Sequence, residues 1–357
     1  MRMLQGHANA STDSALGLQQ LAAQAAQSEE LRRAVAAGGL EGLASVQGGP
    51  EFQNAFAAYL NVYGWRLPGW IELRRATWSE DPSVPLRMIS RYPEDGAAGP
   101  DVATANAAAG REDTISEAKA TLNPDERAQL DELLAAATGY VELIERRALW
   151  QQQLFAYLRV PLLVLGEKLV ASAVLAAADD VFQLTLAELE EGLQGTDLAS
   201  TVRERRADLE RWAALIPPQV LGTAPSERPE IAAILMDGAG LRPSDEPHVV
   251  NGFAASPDVV QGRARVVTDL AKLGRVEPGD VLVTRFTAPT WTPAFGVASA
   301  VVTDAGGVLS HGAIAAREYA LPAVVGTQVG TTKIPDGALV TVDGNQGVVR
   351  IDEERLG

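Results

Sequence analysis

The sequence predicts a multidomain chain, with a mostly α-helical N-terminal part ahead of a compact C-terminal domain that mixes strands with one clear helix. Three observations carry this. From about Ser14 to Ile216 the apolar residues recur at helical spacing. A proline-rich connector, PPQVLGTAPSERP, then interrupts the pattern. From Gly252 onward, short β-branched runs alternate with Gly, Pro and Asp turns. A length of 357 residues suits two or three domains. The boundaries read as 1–216 for the helical domain, 217–250 for a linker and 251–357 for the C-terminal domain.

In order along the chain, LQQLAAQAAQSEELRRAVAAGG places Leu18, Leu21, Leu31 and Val35 on one helical face, with a glycine pair to end it. FQNAFAAYLNVYG repeats the pattern and stops at Gly64. The stretch from Asn123 to about Ala178 reads as a long helix, bent or broken near Pro161. TLAELEEGL and ASTVRERRADLERWAAL supply two more, the first with a Thr–Glu capping pattern. Strands are expected at RARVV, DVLVTR, SAVVTD, AVVGT, ALVTV and GVVRI, and the helix of this domain runs from His311 to about Tyr319.

The formal net charge is −16, of which about −14 falls on residues 1–250. So acidic a chain offers no basic surface to neutralise phosphates, which argues against a nucleic-acid partner and against an anionic membrane surface. There is no cysteine, so disulfides, thiolate metal sites and a thiol nucleophile are excluded. The polar stretch Met1–Asp13 does not read as a secretory signal, and the apolar-rich Val160–Ala178 is interrupted by Glu167 and Lys168. A cytoplasmic protein with no membrane span is the expectation.

Chemistry concentrates in VVTDAGGVLSHGAIAARE, residues 301–318, which holds one of only three histidines. Gly306 and Gly307 permit a tight reversal after a buried strand. Ser310 is a good N-cap, so His311 opens a helix. The free N–H groups and the dipole there favour an anion and disfavour a cation, leaving the imidazole neutral and nucleophilic. Such a ring is suited to attack a phosphoryl group. The backbone N–H groups of Gly312 and Ala313 and the Ser310 hydroxyl would meet the phosphoryl oxygens, and Arg317 lies nearly two turns on. On spacing alone, a histidine that simply packs at a helix start explains the residues equally well.

The stretch from Ser256 to Ile351 resembles the swivelling phosphohistidine domain of the phosphoenolpyruvate-utilising enzymes. Pro278-Gly279-Asp280, Thr287 to Pro293, Thr303-Asp304, Gly306-Gly307, Ser310-His311, Ala315 to Glu318, Pro322 to Gly326 and Val342-Asp343-Gly344 match in order. The resemblance implies a β/β/α fold with His311 as the phosphorylated residue. It also implies that Thr303, Gly307, Ser310, Gly312, Ala313 and Arg317 form the phosphate-stabilising set. A ring reachable by an incoming phosphate is a condition of this reading.

The helical part is similar, more weakly, to rifampicin phosphotransferase-like proteins through YLNVYGWRLPGWIELRRATWSEDP and AADDVFQLTLAEL. Trp65 stands where many of those relatives have histidine. Tyr63, Trp65, Arg66, Trp70, Trp78 and Glu80 are the candidate acceptor-binding residues, though a loop pinned by tryptophans fits the same stretch. No ATP-grasp region is evident, so ATP and Mg²⁺ are expected on a partner ATP-grasp subunit, with no metal site on this chain. With no histidine base in the helical part, an aliphatic alcohol would need Glu72, Glu80 or Asp81. A phenol, with a pKa near 10, needs less help. The expectation is therefore the phosphohistidine subunit of a dikinase acting on phenol or an alkylphenol, similar to phenylphosphate synthase. The alternatives are transfer to an antibiotic or other alcohol, and a non-catalytic regulatory protein.

Overall fold

The computed structural model describes residues 2–6, 10–67, 72–92, 100–213, 215 and 244–352. Most of the 217–250 connector, with Pro217-Pro218, lies outside the described residues, as do His7 and Trp70.

The helical half runs α1 (Ala10–Ala25), α2 (Glu29–Ala36), α3 (Gly49–Tyr63), α4 (Ser83–Ile89), α5 (Pro100–Thr121), α6 (Pro124–Ala171), α7 (Leu186–Leu193) and α8 (Ala199–Ala213). The helix expected through Ala36 is two helices, because Ser28 takes an extended conformation and caps α2 by accepting from Leu31 N at 3.3 Å. α6 opens with a full capping box. Asn123 accepts from Glu126 N at 3.0 Å, the Glu126 carboxylate accepts from Asn123 N at 2.9 Å, and Pro124 fills N1. α6 then continues through Pro161 for 48 residues. The expected break is absent because Pro161 and Tyr157, whose carbonyl the proline leaves without a donor, both lie on the exposed face, where water serves that carbonyl.

The C-terminal domain is one eight-stranded sheet in the order β1-β8-β7-β3-β4-β5-β6-β2. The strands are β1 (Val249–Asn251), β2 (Phe253–Ser256), β3 (Val259–Val266), β4 (Val281–Thr284), β5 (Ala300–Thr303), β6 (Ala323–Val325), β7 (Leu339–Asp343) and β8 (Val348–Ile351). β3 to β6 run parallel and the other pairings are antiparallel. All six expected strands are present. β1 pairs with β8, so the domain begins inside the segment assigned to the linker. Three helices interrupt the strands: α9 (Thr292–Phe295), α10 (His311–Glu318) and α11 (Gly330–Lys333).

β4, β5 and β6 are buried at every position, as parallel strands covered on both faces must be. One face packs Val281, Val283, Val302 and Val324 against Val340, Val342 and Val349 of the antiparallel wing. The other packs Leu282, Val301 and Val325 against Ala313, Ala316 and Tyr319. The result is the β/β/α layering expected. The α layer does not face solvent. It shares a continuous core with Ala15, Leu18, Phe56, Tyr59 and Tyr92 of the helical half. α10 and α9 therefore lie between the sheet and the helices. A second core, of Leu169, Val174, Val181, Leu189 and Val202, ties α6 to α7 and α8.

Candidate functional site

β5 delivers the chain to the turn at Asp304–Gly307. Gly306 has φ +105, and a Cβ there would lie 2.8 Å from Ser310 Cβ and Oγ, so only glycine fits. Asp304 fixes the turn by accepting from Thr331 N at 2.9 Å and Thr327 Oγ1 at 3.2 Å. Ser310 caps α10 by accepting from Ala313 N at 3.4 Å. His311 is the first residue of the helix, as expected.

Its ring is held from both sides. Nδ1 lies 3.0 Å from both carboxylate oxygens of Glu145, and Nε2 lies 3.4 Å from Thr292 Oγ1. A bare lone pair on Nδ1 would face two anionic oxygens, so Nδ1 carries the hydrogen and donates it to Glu145. Nε2 is then the nitrogen on which a phosphoryl group would sit. Thr292 is anchored in turn, its hydroxyl donating to Pro289 O at 2.9 Å.

His311 is 9% exposed and Glu145 is 1% exposed. The ring is thus enclosed, against the condition that an incoming phosphate can reach it. The enclosing group comes from α6, not from the ring's own domain. In this arrangement no donor reaches Nε2. Access requires the C-terminal domain to come away from α6.

The other expected phosphate ligands do different work here. Thr303 Oγ1 donates to Ala305 O at 2.9 Å and so braces the turn. Gly307 O accepts from Ser310 N at 2.9 Å. The Ala313 N–H is taken by the Ser310 cap, and Gly312 packs so closely on Thr287 that a Cβ would lie 2.6 Å from its hydroxyl. Arg317 is turned to β2, where its Nη1 donates to Ala255 O at 2.8 Å. Burial lowers its pKa to about 10, despite the nearby charges of Glu318 and Glu145.

The acceptor candidates divide. Arg66 is fully buried and sits 5.6–5.7 Å from the rings of Tyr63, Trp65 and Trp78, with Nη1 donating to Pro289 O at 2.9 Å. It therefore reaches the carbonyl that also anchors Thr292. Trp78 is core, stacked on Tyr59 at 6.4 Å, and Trp65 Nε1 donates to Val62 O at 2.7 Å. Glu80 is a structural tie. Its carboxylate accepts from Arg159 Nε at 2.9 Å, Thr77 N at 2.8 Å and Thr77 Oγ1 at 2.9 Å. Burial pushes its pKa up, but these bonds outweigh burial and hold it below the usual carboxylate range. Of the other carboxylates considered as bases, Glu72 is bonded to Arg74 at 2.6 Å and Asp81 to Ser83 at 2.5 Å.

Glu145 and Thr292 escaped the sequence reading. The readable signal was periodicity. Glu145 falls four residues after Val141 and four before Leu149, both buried, so an acid interrupts the buried stripe of α6. Among the described residues, no cluster of three or more His, Asp or Glu side chains is arranged to hold a metal ion, and no helix is long and apolar enough to cross a membrane.

Residues 1–145 match the rifampicin phosphotransferase fourth domain, and residues 276–347 match the mobile domain of PEP-utilising enzymes. A rifampicin phosphotransferase of Streptomyces sviceus is 35% identical over 329 residues, covering 87% of this chain and 36% of that protein. An uncharacterised phosphotransferase, YvkC, of Bacillus subtilis is 31% identical, covering 87% and 38%. Chondramide synthase cmdD of Chondromyces crocatus is 34% identical over 87% of this chain but only 8% of its own length. The chain thus spans little more than a third of the phosphotransferases it matches.

Proposed function

We propose that this chain, which carries the mobile domain of PEP-utilising enzymes and the rifampicin phosphotransferase fourth domain, transfers phosphoryl groups through His311. The coarse activity, a phosphotransferase of the PEP-utiliser type, agrees with its relatives. The observation that supports the route is the clamp of Glu145 on His311 Nδ1 at 3.0 Å, across the joint between the two halves. It leaves Nε2 as the nucleophile and presents the ring to the helical half.

In this reading a partner ATP-grasp subunit binds ATP with Mg²⁺, and Nε2 attacks the β-phosphoryl group while the C-terminal domain is swung away from α6. AMP leaves, and hydrolysis of the remaining γ-group gives phosphate. The domain then docks as seen here. Glu145 holds the Nδ1 hydrogen in place, so the N–P bond breaks toward a neutral imidazole. The phosphoryl group passes to an acceptor hydroxyl, whose proton is released to solvent. Most of the catalysis is positioning and charge neutralisation.

Two acceptors remain in view. The names of the relatives favour a hydroxyl of a rifamycin-type antibiotic. Phenol and alkylphenols stay as the second reading, because Glu145 is engaged on Nδ1 and Glu72, Glu80 and Asp81 are bonded elsewhere, which suits an acceptor that needs little help in losing its proton.

The test uses the chain with an ATP-grasp partner and ATP labelled at the β-phosphate. Acid-labile, alkali-stable label is expected on the wild type and not on His311→Ala. Acceptor panels of rifamycins, phenol and alkylphenols then rank the substrates. A wild type that takes no label with any partner favours a non-catalytic regulatory protein.

A further inference from the structure

Of the buried charges in the helical half that the mechanism above leaves unused, Arg159 and Asp180 have ion-pair partners and Arg66 has none among the described residues. Arg66 is 0% exposed, and burial outweighs its neighbours in lowering its pKa. Its two faces look on aromatic rings, which satisfy part of the charge but none of the N–H groups. One corner, Nη1, is spent on Pro289 O. The opposite edge is not. Among the described residues, Nε and Nη2 have no hydrogen-bond partner and no carboxylate is paired with Arg66. That edge is the side-on fork of a guanidinium, whose two parallel N–H groups match two oxygens of a carboxylate or phosphoryl group.

A desolvated cation with an open fork is destabilising unless an anion completes it. The surroundings indicate which anion. Pro289 O, which holds Arg66, also holds Thr292, and Thr292 touches His311 Nε2. Arg66 is therefore joined to Nε2 by three polar contacts. Next to Pro289, the hydroxyl of Thr290 is 0% exposed and also has no partner. The Thr287 hydroxyl, against Gly312, has none either. Unspent hydroxyls thus lie at Thr287 and Thr290, in the same segment as Thr292, the residue at Nε2.

We propose that the Nε–Nη2 edge of Arg66, with the Thr290 hydroxyl, takes the oxygens of the phosphoryl group carried on His311 Nε2 when the two halves dock. This rests on the phosphohistidine reading and adds a residue from the acceptor half that recognises the cargo. Docking then depends on charge state. A charged histidine completes the fork, whereas an uncharged one leaves it open.

The experiment needs neither partner nor acceptor, because a small donor reaches Nε2 in the sparse openings of the joint during a long incubation. Potassium phosphoramidate is the donor. Its P–N bond breaks, ammonia leaves, and a P–N bond forms at Nε2 while Nδ1 keeps its hydrogen. The ³¹P resonance is then followed against pH in the full chain, in Arg66→Gln and in Arg66→Lys. Lysine keeps the charge and the aromatic packing but loses the fork. Two fixed charges face the group, Arg66 from the segment after α3 and Glu145 from α6, and Glu145 is common to all three proteins.

All three are expected to take label to the same final extent, since the group that is charged lies on the C-terminal domain, whatever the rate at which the joint opens. The phosphoryl group of the wild type should ionise about one pH unit below that of Arg66→Gln, with Arg66→Lys between. Titrations of labelled wild type and Arg66→Lys that superimpose overturn the fork. So do those of wild type and Arg66→Gln, and the lysine variant stands alone if the glutamine variant does not fold. A wild type that takes no label on His311 overturns the phosphohistidine reading itself, and this inference with it.

Discussion

Replacing Glu145 with glutamine should slow phosphoryl transfer out of His311 without slowing its charging. The carboxylate lies 3.0 Å from Nδ1 through both oxygens, and both residues are buried. With Nε2 carrying the phosphoryl group and Nδ1 its hydrogen the ring is cationic, and at an effective dielectric of about 20 a charge pair at that separation interacts by about 5–6 kcal/mol before desolvation is counted. Deleting one partner of such a pair typically costs about 3–5 kcal/mol. Glutamine keeps the shape and one neutral hydrogen bond, worth about 1 kcal/mol. The net loss is then about 2–4 kcal/mol, or about 30- to 900-fold in the docked step. Charging happens away from α6, so its rate should change less than about threefold. The assay separates the two half-reactions: label the chain, remove the donor, add acceptor and follow the loss of phosphohistidine. Equal transfer rates in wild type and Glu145→Gln would refute the role of Glu145. A charging rate that falls as far as the transfer rate would refute the separation of the two positions.

Two further outcomes follow from the geometry. Gly312→Ala puts a methyl group 2.6 Å from Thr287 Oγ1, so the turn or the threonine must shift. A cost of about 1–3 kcal/mol, read as a lower melting temperature, is expected, and an unchanged melting temperature contradicts the packing. The Glu80–Arg159 tie should be pH dependent. Because the folded Glu80 pKa is lowered, the tie stabilises above the free carboxyl's midpoint of about 4.3 and is lost as pH falls through the depressed value. Glu80 is a third exposed, so screening limits the effect to roughly 1 kcal/mol. The urea midpoints of wild type and Glu80→Gln should therefore differ at neutral pH and converge below about pH 4.

What the sequence revealed and what it hid divide along local and non-local lines. The six strands read from β-branched runs are real because β4, β5 and β6 are buried on both faces and β3, β7 and β8 on one, and both patterns are properties of composition and alternation. β1 and β2 are three and four residues long and are held by β8 and β6, far away in the chain, so nothing local announces them. α5 was invisible for a different reason. Its alanine-rich, charged sequence has almost no apolar face. At the site, the turn glycines, the Ser310 cap and His311 could all be read, because each is dictated by backbone geometry within ten residues. Glu145 is 166 residues away from His311. The tryptophans misled. They look like a substrate wall in one dimension, yet Trp78 is spent on the core and Trp65 on Arg66.

The docked arrangement has an energetic consequence for any swing. The C-terminal domain meets the helices through Trp291, Phe295 and Tyr319, all at least 96% buried, and through the Tyr92 hydroxyl, which donates to Pro293 O at 3.3 Å. Each large apolar side chain returned to water costs about 1.5–3 kcal/mol. A free, exposed position is therefore strongly disfavoured against the docked one. A domain that leaves α6 has to seat the same residues on another surface. Those residues lie at α9 and at the end of α10, the helix that His311 opens, so whatever covers them also comes near Nε2. On the proposed route a nucleotide-binding partner would offer an apolar saddle beside its phosphate site, and the swing would be an exchange of one buried face for another.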